Sequence, residues 1–344
     1  SANTTGADNT AVGSECGDAN TTGYSNVFVG KACGGANTTG FYNTFVGESS
    51  GYSHTTGDSN VAVGHYAYQA GTTGTANVCV GRNAGMALTT GHHNVAIGFN
   101  AMKSQDTADY NVAIGREALE ALNEDKEDNI AIGFRALHNM TDGQWNTAIG
   151  SYALHDCSAG PDRNTAVGKE AGYAVTTGDN NILIGYAAGT ASSPSGSITT
   201  ANNNIVIGDD NIGEFWCADS GINTSDKRDK TDIVNFTHGL DWVNQLNPVK
   251  YRWDKRSWYS DDKSVTPDGS KKRAQLHIGF LAQDVLTIEG NPTKDNMLIA
   301  HSNCDNSAYG LKYERLVPVL VNAIKELSTE VNTLKTKVAA LEAG

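Results

Sequence analysis

The sequence is poor in cysteine, in aromatic residues and in long apolar runs. Its six cysteines include no Cys-x-x-Cys pair and are too sparse in 344 residues for a disulfide framework, so we expect free and mostly buried thiols. Aromatic residues make up 8% of a chain that holds 38 glycines, which argues against one large mixed-layer enzyme core. No run of about 18 apolar residues and no basic-then-apolar leader occurs, so the sequence predicts a soluble chain without a membrane span. It begins at Ser1 and not at Met, and we expect a fragment or processed piece of a longer protein.

Charge divides the chain at Ser225. Residues 1–224 carry 22 acidic against 8 basic side chains, whereas residues 225–344 carry 16 against 17. Glycine divides in the same way, with 32 of the 38 glycines in the first part. The acidic balance argues against nucleic acid as a ligand of the first part, because phosphate binding needs clustered lysine and arginine. We therefore predict a repetitive stalk followed by a compact domain.

A five-residue motif recurs twelve times in residues 1–208. It consists of Asn, a β-branched residue, a small or apolar residue, Val or Ile, and Gly, and most copies start 17 or 18 residues apart. The copies begin at Asn9, Asn26, Asn43, Asn60, Asn77, Asn94, Asn111, Asn129, Asn146, Asn164, Asn181 and Asn204. A fixed period of this length is the signature of a solenoid, and the β-branched positions favour one short strand in each coil.

Each predicted strand is apolar on both of its faces. The second and fourth motif positions share one face, and the third position, which is also apolar, points the other way. The interior of the coil covers one face, but a 17-residue coil has no second layer for the other face. We infer that partner chains cover it, so that the stalk is a homo-oligomer wound about a common axis.

The Asn-x-Ala-Val/Ile-Gly pattern resembles the head repeats of trimeric adhesins and of phage tail fibres. The resemblance covers residues 1–208 and implies an intertwined homotrimer of left-handed parallel β-rolls. The 17-residue period differs from the shorter period of bacterial adhesin heads. The fold class predicted for the whole chain is mainly β: a trimeric parallel β-solenoid of about twelve coils, a junction at 209–224, a small α+β domain at 225–316 and a coiled-coil helix at 317–344.

Four motifs follow one another in the second part of the chain. They run from Ser225 to Ile233, from Leu246 to Trp253, from Ile278 to Asp284 and from Tyr313 to Leu320. Ser225 and Lys230 stand five residues apart in the first motif. A serine can attack the carbonyl that precedes it if a neighbouring lysine, with its pKa lowered by burial, takes the proton. Taken alone, such a pair in a polar stretch is more often part of a solvated linker.

The four motifs in this order resemble the C-terminal intramolecular chaperone of phage tail spikes, tail fibres and endosialidases. Members of this family promote trimerisation of the β-structured part before them and then cut themselves off before the motif serine. The resemblance covers 225–344 and implies that Ser225 is the nucleophile, Lys230 the base and the Thr224–Ser225 bond the substrate. It gives possible supporting roles to Asp226, His277 and Arg315. No cofactor and no metal are predicted.

The C-terminal segment carries an unbroken heptad seam. Its apolar residues alternate in spacings of three and four: Val317, Leu320, Ile324, Leu327, Val331, Leu334, Val338 and Leu341. Such a seam predicts a coiled coil, or else one amphipathic helix on a globular core. β-Branched residues at a with leucine at d ordinarily favour a parallel dimer, but the rod and the resemblance favour a trimer.

The function predicted from these patterns is a phage tail-fibre or tail-spike tip for attachment to the host surface. Its partners would be two further copies of the chain and a host receptor, either a glycan or an outer-surface protein. The virion is the expected location, with assembly in the host cytoplasm. The enzymatic activity would be one self-cleavage, without turnover of an external substrate. The alternatives are a polysaccharide-degrading tail spike, a non-viral trimeric adhesin with the same chaperone, and a crystal- or ice-binding threonine face.

Overall fold

The chain folds as two compact units, Ser1–Asn211 and Ile212–Gly344. The structure is a computed structural model that describes residues 2–122, 126–214, 216, 225–260, 264–304 and 306–343. Within these residues, no helix has the length and apolar character needed to cross a bilayer.

The first unit is a parallel β-solenoid, which confirms the predicted fold. Twelve strands of three residues stack in sequence order, each parallel to the next and in register, as in the pairing of Val61 with Val78. Each strand covers positions two to four of one motif. The strands are β1 Thr10–Val12, β2 Val27–Val29, β3 Thr44–Val46, β4 Val61–Val63, β5 Val78–Val80, β6 Val95–Ile97, β7 Val112–Ile114, β8 Ile130–Ile132, β9 Thr147–Ile149, β10 Thr165–Val167, β11 Ile182–Ile184 and β12 Ile205–Ile207.

The motif asparagines form a hydrogen-bonded ladder inside the solenoid. Asn60 is fully buried, and its Nδ2 donates to the Gly74 carbonyl at 2.9 Å. Its backbone N–H donates to Asn43 Oδ1 at 3.0 Å, one coil earlier. A buried amide must have its donors and acceptors paired, and here each side chain pairs with the backbone of the neighbouring coils. The motif therefore begins with asparagine because this side chain supplies hydrogen-bond partners to backbone groups at the corner of the coil that have no backbone partner of their own.

The glycine that closes each motif is required by close stacking of the coils. Gly64 has φ +137°, and a Cβ there would lie 2.6 Å from the carbonyl oxygen of Gly81 in the next coil. A side chain at this position would therefore collide with backbone, which cannot move aside.

The third motif position faces the interior of the coil, and the second and fourth face outward. Ala62 and Ala96 are fully buried, whereas Val63 and Ile97 in the same strands remain 36% and 37% exposed. The sequence had not indicated which face lies inside. The outward face is therefore a continuous stripe of β-branched side chains that the single chain covers only in part.

The interior pairs large with small side chains at two positions six residues apart. Phe45 occupies the third motif position, and a Cβ on Gly51 would lie 2.5 Å from its ring. In a later coil the sizes are exchanged, with Ala113 and Leu119 at these positions and both fully buried. The same complementarity occurs in the pairs Phe28 and Gly34, Ala131 and Leu137, Ala148 and Leu154, and Leu183 and Gly189. Either arrangement fills a coil of constant cross-section to the density of a protein core.

This complementarity predicts a compensating pair of substitutions. Phe45→Ala should lower the free energy of unfolding by about 3–5 kcal/mol, because it leaves a cavity. Adding Gly51→Leu should recover part of that loss, since it recreates the arrangement of Ala113 and Leu119. Leu119 has φ 52° where Gly51 has φ 56°, so leucine fits the backbone at a cost of about 1–2 kcal/mol.

Denaturant unfolding of the wild type, both single variants and the double variant measures this coupling. Gly51→Leu alone should destabilise the rod through its clash with the Phe45 ring. A double variant less stable than either single variant would contradict the proposed exchange.

The second unit is a small α+β fold that ends in a long helix. Its elements are α1 Leu240–Gln245, β13 Val249–Tyr251, β14 His277–Gly279, α2 Ala282–Ile288, β15 Ala300–Ser302, β16 Tyr309–Leu311 and α3 Leu316–Glu342. β13 pairs with β14, and β15 with β16, both antiparallel. The core contains Trp242, Val285, Ile299, Ala300, Leu316 and Val319.

Polar contacts fix the start of this unit against α3. The Leu240 N–H donates to Glu326 Oε2 at 2.7 Å, which satisfies one free donor at the first turn of α1. Asn322 Nδ2 donates to the Phe236 carbonyl at 2.8 Å. The first three turns of α3 are thus held by their own chain.

Candidate functional site

The first predicted motif forms a short turn that begins with Asp226. The carboxylate of Asp226 accepts a hydrogen bond from the Arg228 N–H at 2.9 Å and pairs with its guanidinium at 2.6 Å. These hydrogen bonds hold the pKa of Asp226 below its usual value. A 3₁₀ turn follows at Lys227–Asp229, and the Lys230 N–H bonds back to the Lys227 carbonyl. Asp226 therefore acts as the cap of the turn that positions Lys230.

The turn brings Ser225 and Lys230 together. Lys230 Nζ donates to Ser225 Oγ at 2.6 Å, which is within the range needed for proton transfer between a nucleophile and its base. Both residues are exposed. The contact therefore has the geometry of a serine–lysine pair.

The carbonyl that Ser225 would attack belongs to Thr224, which lies outside the described residues. His277 and Arg315 are in the second unit, where their contacts are with other residues. The His277 ring stacks on Tyr251 with centroids 5.6 Å apart, and Arg315 Nη1 donates to the Leu298 carbonyl at 2.9 Å. Their supporting roles stay predictions.

The heptad seam lies on the exposed side of α3. Leu316, Val319 and Ala323 on the other side are buried in the core of the unit. The seam residues are all between 45% and 82% exposed: Val317, Leu320, Ile324, Leu327, Val331, Leu334, Val338 and Leu341. A shallow groove lined by Val331, Leu334, Lys335, Val338, Ala339 and Glu342 follows its C-terminal half. This single chain thus exposes an apolar helix face of the kind that packs in coiled coils.

The described cysteines are free thiols, as predicted. Cys33 and Cys79 are fully buried, and burial raises the pKa of each to about 12. They are therefore protonated at neutral pH and unreactive. Cys217 lies outside the described residues.

A cluster of three potential metal ligands was not predicted from the sequence. Glu117, Glu120 and His138 place their ligand atoms within 4.8 Å of one another. Arg135 and Arg116 already pair with Glu117 at 2.6 and 2.8 Å, and these hydrogen bonds lower its pKa. The positive charge that a metal would bring is thus already supplied by arginine, and we assign no metal site here.

Comparison with known families bears on the second unit. Residues 225–292 match the family model described as chaperone of endosialidase. The match begins at Ser225, the first residue of the serine–lysine pair, and includes α1, β13, β14 and α2. It ends before β15, so the rod and α3 lie outside the chaperone match. No curated protein matches the chain, and no solved structure does.

Proposed function

We propose that the chain is the trimeric attachment rod of a viral tail fibre or tail spike. Its second unit would act as an intramolecular chaperone that aligns three chains and then releases itself by cutting the Thr224–Ser225 bond. The observation that carries the proposal is the 2.6 Å contact between Lys230 Nζ and Ser225 Oγ at the first residue of the chaperone match.

Two apolar surfaces that the single chain leaves partly or fully exposed support assembly with further copies of the chain. In the first unit, outward strand residues such as Ile149 and Ile184 are 38% and 42% exposed. In the second unit, the seam of α3 is exposed along the whole helix. Contiguous apolar patches of this length mark interaction sites. The apolar residues of both surfaces recur at a regular spacing along the chain. The same surfaces on a second and a third copy have the same spacing and could therefore pack against them in register.

The chemistry of release follows from the pair. The Ser225 oxygen would form a bond to the Thr224 carbonyl carbon while the neutral Lys230 amine takes its proton. The peptide C–N bond would then break as Lys230 returns the proton to the departing Ser225 amine, which leaves an ester between Thr224 and Ser225 Oγ. Water would hydrolyse the ester, freeing the Thr224 carboxyl group and restoring the serine hydroxyl.

Assembly is the natural trigger for this reaction. Lys230 is exposed in the single chain, and a lysine can act as a base only when its amine is neutral. Enclosure by partner chains would remove water from the amine and so favour its neutral form. We therefore expect an isolated chain to be stable and an assembled trimer to cut itself.

Separate expression of the rod tests the chaperone role. Residues 1–224 alone should give aggregate, because neighbouring coils offer nearly identical surfaces and stack in wrong registers without a nucleus. The full chain should yield the same segment as a soluble trimer. Light scattering during size-exclusion chromatography, with intact mass spectrometry, measures oligomer and cleavage together. Equal yields of ordered trimer from both would contradict the chaperone role, and a dimeric rod would contradict the trimer.

A further inference from the structure

One edge of the solenoid carries arginine and phenylalanine in alternation. The residue that follows the closing glycine is Arg82, Phe99, Arg116 and Phe134 in four successive coils, and we call these four residues the Arg-Phe ladder. The Arg82 guanidinium lies 4.5 Å from the Phe99 centroid. The Arg116 guanidinium lies 5.6 Å from Phe99 and 5.7 Å from Phe134. Each arginine is therefore held against a ring by a cation–π contact.

Further rings continue this surface towards later coils. Phe134 meets Tyr152 edge to face at 5.1 Å, and Tyr152 meets His155 at 5.2 Å. The His155 ring stacks on Tyr173, with centroids 4.9 Å apart and planes 8° from parallel. His155 Nε2 has no hydrogen-bond partner within the described part of the chain. The edge thus carries aromatic rings over several coils, and His155 Nε2 lies buried beneath them.

The charge of this edge differs from that of the rest of the rod. Residues 1–224 hold 22 acidic and 8 basic side chains. Between residues 82 and 173 this edge carries five of the eight basic residues: Arg82, Lys103, Arg116, Arg135 and Lys169. The carboxylates among them are Glu117, Glu120, Asp156 and Glu170. Lys103, Arg116, Arg135 and Lys169 pair with carboxylates of this edge. The five cations exceed the four carboxylates by one, and the Arg116 side chain, although its Nε contacts Glu117 at 2.8 Å, remains 60% exposed.

The fold does not require this composition. Ser14, Glu48 and Ser151 occupy the same position in other coils, whose strands pair in the same register. A solenoid with serine or glutamate along this edge would form the same coils. The concentration of arginine and aromatic rings thus calls for an explanation other than folding.

We propose that the Arg-Phe ladder binds an anionic polysaccharide that carries carboxylate groups. Guanidinium groups pair with carboxylates through two parallel hydrogen bonds, and the flat ring faces match the apolar faces of sugar rings. Because each arginine already lies on a ring, little side-chain freedom is lost on binding. The two ladder arginines are two coils apart, about 10 Å along the axis, so a linear polymer with regularly repeated charges can engage both. The inference rests on the proposed attachment function and names the class of receptor.

Affinity electrophoresis of the full-length product tests the proposal. Native gels containing alginate, polygalacturonate or hyaluronate should retard the wild-type protein, whereas gels with dextran should not. The chain has a net charge of −13, so retardation by a polyanion would not arise from overall charge. Raising the salt concentration should weaken binding by screening.

Variants locate the site. Arg82→Gln and Phe134→Ser should each weaken binding roughly fivefold to tenfold, as expected for the loss of one cation–π or charge-assisted contact. Phe134→Ser is compatible with the fold, since serine occupies this position at Ser151. Lys31→Gln is the matched control, because it makes the same charge change at the same position of a coil without ladder rings. It should bind as tightly as wild type.

Three results would overturn the proposal: no retardation by any of the three polymers, equal binding by the ladder variants, or equally tight binding to a single-stranded oligonucleotide. The third would indicate attraction to any polyanion. Oligomeric mass and cleavage products of the same preparations report on assembly and self-release separately. A failure of glycan binding is thus distinguishable from a failure of the trimeric, self-releasing design.

Discussion

Ser225→Ala is expected to leave the chain uncut, as a single band of 36.3 kDa, whereas the wild type is expected to give two fragments. The substitution removes the oxygen that would attack Thr224 and with it the acceptor of the 2.6 Å hydrogen bond from Lys230 Nζ. Lys230→Ala should slow cleavage about 10²–10⁴-fold, the usual contribution of a positioned general base. Denaturing gels over time and N-terminal sequencing of the second fragment, which should begin at Ser225, measure both effects.

Two further variants distinguish the role of Lys230 as a base from the effect of its positive charge. Lys230→Arg keeps a cation beside Ser225 but cannot give up a proton at neutral pH, so we expect it to remain uncut. Lys227→Gln removes an exposed lysine from the preceding turn and should cleave like wild type. Cleavage of Ser225→Ala, or a second fragment that begins at another residue, would show that the nucleophile is wrongly assigned.

Sequence periodicity predicted the rod well because each coil of a solenoid packs mainly against its two neighbours, so the pattern within one repeat determines the whole fold. Each coil repeats one set of contacts, so the strand Val61–Val63 has the same motif positions as Val78–Val80. Periodicity did not show which strand face is interior, since both faces are apolar and burial depends on the path of the whole coil. The complementary sizes of Phe45 and Gly51 could be recognised in the sequence only by comparing positions six residues apart in different coils.

The second unit was predictable for a different reason. Its motifs are not periodic, and the expected serine–lysine pair came from a family resemblance and not from residue chemistry. The structure adds the turn capped by Asp226 that places Lys230 at Ser225. The Arg-Phe ladder was missed because its members are separated by 17 or 18 residues. Only stacking of the coils brings Arg82 onto Phe99.

Ile114→Asp is expected to abolish the proposed trimer. Ile114 is the fourth residue of its motif and the last residue of β7, on the outward face, where it is half-buried in the single chain. In the proposed assembly three copies of this residue would face the partner chains. Burying an unpaired carboxylate costs several kcal/mol for each ion, and the three like charges would also repel one another. Ile132→Asp, one coil later, should act in the same way.

Matched substitutions in the same strand distinguish loss of assembly from loss of fold. Val112→Thr should keep the trimer, because threonine occupies the corresponding position at Thr44, Thr147 and Thr165. Ala113→Asp should prevent folding of the coil itself, since Ala113 is fully buried inside it. Light scattering gives the oligomeric mass, and far-ultraviolet circular dichroism reports on the strands. If Ile114→Asp forms trimers in wild-type yield, the outward strand face is not the assembly surface. The exposed seam of α3 would then be the only one of the two proposed surfaces left to hold the chains together.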